Sequence, residues 1–196
     1  MNRISFVKTI IAKSDYKEKE KMGDIYLIHF DPTEKEGMNA YECVECSVSV
    51  ADYNAEEVKA EYAAWKTKHD AAELAYAIRS KVAEIEAYDT SSKVNGFVLN
   101  GMTVWLDKAT RVGLMNSTTI AKAAGQQTTT LWLGDVKLEV DCDKAIQLLS
   151  ALEMYALECF NVTAAHKKAV SELKTIKEVE AFDVTADYPQ QLVMKL

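Results

Sequence analysis

The chain has 196 residues, 48% hydrophobic and 27% charged, with only 7 Gly and 2 Pro, which is the balance of a globular protein with room for one or two modest cores. Acids outnumber bases by 30 to 23, and the resulting net charge of −7 is spread along the whole length. No segment offers the basic surface that neutralising phosphates requires, so nucleic acid is not an expected partner. No apolar run approaches the roughly 18 residues of a bilayer span, and Met1 to Asp15 lacks a signal peptide's hydrophobic block, so an intracellular product with no membrane partner is expected.

The pattern predicts an α+β fold: a small N-terminal antiparallel β meander, a long bridging helix and a C-terminal hairpin-helix-hairpin-helix domain, divided as residues 1–53, 54–89 and 94–196. Three strands are expected at the start. Ile4 to Ala12 is rich in β-branched residues, Ile25 to Phe30 is a short apolar run, and Tyr41 to Val50 alternates. The charged stretch Asp15 to Gly23 reads as one connection, and Asp31 to Gly37 as a turn. Alternation puts Val44, Cys46, Val48 and Val50 on one face and Cys43 on the other, so the C-x-x-C thiols diverge. Cys142 and Cys159 sit alone in a helical stretch, and all four are read as buried, inert thiols with no metal.

Residues 54–88 contain no Gly or Pro, and Asn54-Ala-Glu-Glu57 resembles a capping box, which predicts one helix of roughly 50 Å. At about 100° per residue, Val58, Tyr62, Trp65, His69, Ala72 and Tyr76 fall in one narrow stripe. A second stripe, Ala71, Ala75, Ile78, Val82 and Ile85, is centred roughly 140° away. A straight heptad seam keeps its phase, so the helix is expected to pack on different neighbours at its two ends. Those neighbours are either the chain's own two domains or copies of the same chain.

After the polar linker Asp89 to Lys93, one pattern occurs twice. Phe97 to Leu106 is a hairpin with Asn100-Gly101 at its turn, and Asp107 caps a helix running to about Ala124 and stopped by Gly125. Thr128 to Leu133 and Val136 to Val140 form a second hairpin about Gly134-Asp135, and Asp141 or Asp143 caps a longer helix to about Leu173. Apolar residues almost surround the first half of that helix, Leu157 and Phe160 among them, which predicts a central place in the core. The four strands are expected to lay one face on it, with Trp105 and Trp132 as the bulky contacts.

The search for chemistry finds no convergent set. His29, His69 and His166 each fit a structural role in a strand or helix. There is no G-x-S-x-G elbow and no glycine-rich phosphate loop. Asp141 and Asp143 fit a helix start, and the sequon Asn161-Val-Thr163 lies inside a predicted core helix. The clusters Asn116 to Thr119 and Thr128 to Thr130 read as exposed hydroxyls. No catalytic residue and no cofactor is expected.

Residues 97–191 resemble an uncharacterised domain family that recurs in phages and prophages, commonly beside tail-fibre genes. The matching features are the Asn-Gly hairpin ending Val104-Trp-Leu-Asp107, the helix ending in Ala-Gly before a Thr-rich strand, the second hairpin, the long Ala-rich helix, and the closing run Ile176 to Pro189 with its aromatic-Pro end. The resemblance implies a virion structural protein, a tail- or fibre-associated adaptor present in the host cytoplasm during assembly and then in the particle. Its partners would be other phage structural proteins, with homo-oligomers expected. A fibre assembly factor that leaves before completion is the alternative, and a small glycan-acting hydrolase a third reading. Contacts would be made by Val58, Tyr62, Trp65, His69 and Tyr76 on the first stripe and by Ile78, Val82 and Ile85 on the second.

Overall fold

The computed structural model describes residues 4–195, and the fold is α+β. It divides into two compact units, the first ending at Glu73 and the second starting at Leu74. The boundary falls inside the long helix, so this helix belongs to both units and forms no module of its own.

The first unit is a four-stranded antiparallel sheet built from Phe6–Ala12 (β1), Lys19–Met22 (β2), Ile25–Glu34 (β3) and Ala40–Ser49 (β4), in the order β1-β4-β3-β2. Two expectations need correction here. The stretch Asp15 to Gly23 is not a plain connection, because Lys19–Met22 pairs with β3 along its whole length as a charged edge strand. The turn expected within Asp31 to Gly37 comes only at the end of that range, at Glu36 and Gly37 with Gly37 at φ 75°, because β3 continues to Glu34 past a bulge where Asp31 has φ 50° and the pairing register to β4 shifts between Phe30 and Thr33. Phe6, Ile28, Phe30, Cys46 and Val48 face the first half of the helix Ala55–Asp89 (α1), where Val58 and Tyr62 are buried. Asn54 caps this helix, its side-chain oxygen accepting from the amides of Glu56 at 3.0 Å and Glu57 at 3.4 Å. Cys43 lies on the other face and is buried as well, because Tyr16 folds over that face and packs on Tyr41 at 5.0 Å. The connection carrying Tyr16 is pinned by buried His29, whose amide donates to Glu18 O at 2.9 Å and whose ring nitrogens meet Lys17 O and the Glu45 carboxylate.

The second unit begins with the rest of α1 and continues through Gly96–Leu99 (β5), Met102–Trp105 (β6), Lys108–Ala123 (α2), Thr128–Leu133 (β7), Val136–Asp141 (β8), Cys142–Glu172 (α3), Ile176–Ala181 (α4) and Leu192–Met194 (β9). Local chemistry sets most of these boundaries. Asp107 accepts from Thr110 N at 2.8 Å to start α2, Gly125 at φ 86° ends it, and Asp141 accepts from the amides of Asp143 and Lys144 to start α3. A complete capping box of Thr175 and Glu178 opens α4. Asn100 and Gly101 have φ of 50° and 84°, as a type I′ hairpin turn requires.

The strands do not form one four-stranded layer. They make two sheets, β6-β5-β9 and β7-β8, and β9 runs parallel to β5, a pairing that sequence patterning did not anticipate. Both sheets cover α3, and the core joins Phe97, Leu99, Val104, Leu106, Leu131 and Leu133 to Ala145, Leu148, Leu149 and Leu152. The two tryptophans expected in this contact lie outside it. Val104 and Leu106 point inward, so strand alternation turns Trp105 outward at 42% exposure, and Leu131 and Leu133 do the same to Trp132 at 56%. Leu157 and Phe160 also lie outside the core, on the open side of α3.

Candidate functional site

Trp105, Leu157 and Phe160 belong to one cleft in the second unit. Its volume is about 470 Å³, and Asp89, Asn95, Asp107, Arg111 and Glu153 also line it. Three local devices place these groups. Strand parity turns Trp105 out at the end of β6, and the Asp107 cap starts α2 so that Arg111 arrives one turn later. Helical spacing aligns Glu153, Leu157 and Phe160 along α3. Leu157 is 51% exposed and Phe160 63%, so together with Trp105 they present a sizeable apolar surface to water.

Beneath this surface the polar groups are paired. Arg111 is buried; its Nε donates to Glu153 Oε1 at 2.9 Å and its Nη1 to Leu106 O at 2.7 Å, tying α2, α3 and the end of β6 together. Asp107 is held below the usual carboxylate range by the amide of Thr110, with the Thr110 hydroxyl adding to the effect. Asp89, at the end of α1, accepts from Thr163 Oγ1 at 2.7 Å, and Thr163 Oγ1 also lies 2.7 Å from the Tyr188 hydroxyl. Burial pushes the Tyr155 hydroxyl up to about 12 and raises the Cys159 thiol, so these groups are neutral and apolar in behaviour. One acceptor is left over, Asn95 Oδ1, which is buried without a hydrogen-bond partner; the residue sits at φ 61° just before β5.

The helix stripes are placed as follows. In the first unit Tyr62 stacks on Phe30 at 4.0 Å and 12°, Phe6 lies 5.6 Å from both Tyr62 and Trp65, and Trp65 stacks on His69 at 4.6 Å. Beside this aromatic row, Asp31 accepts from the Tyr62 hydroxyl at 2.8 Å and from Lys66 at 2.6 Å. Lys66 first, and then Tyr62, hold the Asp31 carboxyl below its ordinary value. Lys8 grips both oxygens of Glu73, at 2.9 and 3.1 Å. His69 Nε2 is 3.2 Å from Glu73 Oε1, near enough for an ion pair but not aligned as a hydrogen bond. Tyr76 does not continue the stripe: it is 66% exposed. In the second unit Ile78, Val82 and Ile85 pack with Val170, Phe182 and Val184.

The cleft was not visible in the sequence. Its lining comes from six separate elements or connections between residues 89 and 160, and the one available signal was strand parity around Trp105.

Among the described residues, no helix is long and apolar enough to cross a membrane, and no three His, Cys, Asp or Glu side chains are grouped so as to hold a metal ion. The model of a domain of unknown function, DUF4376, matches residues 76–186, more than half of the chain. The chain belongs to this family. The DUF4376 match starts well before residue 97, where the hairpin begins, and it takes in Ile78, Val82 and Ile85. These residues bury against α3 and the segment after α4, so the second half of α1 belongs physically to the same folded unit. No curated protein and no solved structure matches the chain.

Proposed function

We propose that this protein is a non-enzymatic phage or prophage virion component, a tail- or fibre-associated adaptor that holds other structural proteins by surface contact. The observation that carries the reading is the cleft of the second unit, where Trp105, Leu157 and Phe160 are exposed together. Clustered aromatic side chains ringed by polar groups are the usual anchors of protein interfaces. The carboxylates around them already have structural partners: Asp107 serves α2, Glu153 serves Arg111, and Asp89 serves Thr163. Glycan hydrolysis calls for two carboxyl groups at liberty to trade protons or attack, and these three are occupied otherwise. The phage setting rests on the resemblance described above.

The test is mass spectrometry of purified particles, together with the variant Trp105→Ala/Phe160→Ala. Abundant peptides in the particle, and an assembly defect in a variant that melts like the parent, are the expected results. Peptides in infected cells but none in particles would favour an assembly factor that departs. Particles indifferent to the double variant would overturn the adaptor reading.

A further inference from the structure

The sheet β7-β8 has two strands, so among the described residues β7 has one edge without a strand neighbour. The two-residue loop Gly134-Asp135 closes on Leu133 and Val136 as a hydrogen-bonded pair. By alternation Leu133, Leu131 and Thr129 bond to β8, and the main-chain groups of Thr128, Thr130 and Trp132 point to the open edge. Exposed edges are ordinarily guarded by charge, proline or a bulge. In the first unit the edge strand β2 carries Lys19, Glu20 and Lys21, and β1 carries Lys8. The sequence of β7, Thr-Thr-Thr-Leu-Trp-Leu, carries no such guard.

We propose that this edge is a docking surface for a second copy of the chain, which continues the sheet as an antiparallel β7–β7 pair about a twofold axis at Leu131. Opposed residues in an antiparallel pair share a face, so this register sets Leu131 on Leu131 and Thr129 on Leu133, all on the side that covers α3. It sets Thr130 of each copy opposite Trp132 of the other, on the solvent side. Both of these belong to the set whose amides and carbonyls point outward, so each pair exchanges two main-chain hydrogen bonds. The flanking strand completes the match. Lys137 lies across from Trp132 and Glu139 across from Thr130. Each solvent-side row therefore runs from a lysine in one copy, through Trp132 and Thr130, to a glutamate in the other. The alternative axis at Thr130 would create a row with a glutamate at each end. That axis also gives two rows from Lys137 to Asp141, but the axis at Leu131 makes no like-charged row, and Trp132, 56% exposed in the single chain, is covered on one side. This inference does not depend on the adaptor reading.

The experiment is sedimentation equilibrium of the full chain over a wide concentration range, with circular dichroism on every variant. A concentration-dependent dimer is expected, and Trp132→Lys should weaken it at least tenfold with the spectrum unchanged. Combining Trp132→Lys with Thr130→Glu places opposite charges across from each other at both symmetric pairs and should recover association at low salt. Should Trp132→Lys disturb the fold, Thr130→Lys at an exposed threonine carries the same expectation. A chain that stays monomeric at every concentration, a dimer indifferent to these guard charges, or a double variant no tighter than Trp132→Lys alone would overturn the proposal.

Discussion

At Gly101 the backbone is held at φ 84°, directly after Asn100 at 50°. A β-branched side chain in that conformation collides with its own carbonyl, at a cost of roughly 1–2 kcal/mol. Gly101→Val is therefore expected to lower the urea midpoint of the second unit, and a variant as stable as the parent would mean that the turn takes another form. The Asn100 amide also donates to Met194 O at 3.0 Å, so a distorted turn loosens β9 as well as the hairpin. The thiols give a second residue-scale expectation. All four cysteines are buried, and burial raises Cys46 to about 11. Alkylation at neutral pH should thus follow unfolding, and rapid labelling of the native chain would contradict this.

Among the elements, the contact of α1 with the N-terminal sheet rests on Tyr62, which combines ring stacking on Phe30 with a hydrogen bond to Asp31. Tyr62→Ala should cost about 3 kcal/mol, whereas Tyr62→Phe, which removes the hydroxyl alone, should cost about 1 kcal/mol. Similar denaturation midpoints for the two variants would remove the stack from this account. Asp31 adds a pH dependence. Its folded-state value lies below the ordinary 3.8, chiefly through Lys66 and secondarily through Tyr62. Its contribution is fully present above that ordinary value and is lost as the pH falls through the lower folded-state value. The stability difference between the parent and Asp31→Asn should hold steady above about pH 5 and shrink in more acid solution, and Asn tolerates the positive φ at this position. How much of this was legible in the sequence varied with the range of the signal. Caps and turns were legible because Asp107, Asp141, Gly125 and Asn100-Gly101 act on neighbours a few residues away. β2 was not, because Lys19-Glu-Lys-Met22 has poor strand propensity and is held by its ladder to β3. Bulk alone points Trp105 and Trp132 inward, but strand parity decides, because Val104, Leu106, Leu131 and Leu133 hold the inward positions.

For the whole molecule, the acidic balance predicts behaviour that no single site determines. With 30 acids to 23 bases, the protein is expected to pass unretained through heparin at neutral pH and low salt. Salt-sensitive retention would reveal a basic patch and reopen nucleic acid as a partner. The division at Glu73 and Leu74 was only half legible. The two stripes of α1 announced different neighbours, but the helix read as a separate module because its lack of Gly and Pro gave no sign that two cores share it. The exposed cleft was hidden from a linear reading for a related reason, since its walls meet only after α1, β6, α2 and α3 are in place.

The pairing of β5 with β9 governs the order in which the chain can become native. Phe97 to Leu99 lie beside Leu192 to Met194, almost a hundred positions further on. During synthesis β5 and β6 are therefore made well before the strand that completes their sheet. Until then Phe97 and Leu99 are covered on one flank only, and the nascent intermediate is sticky.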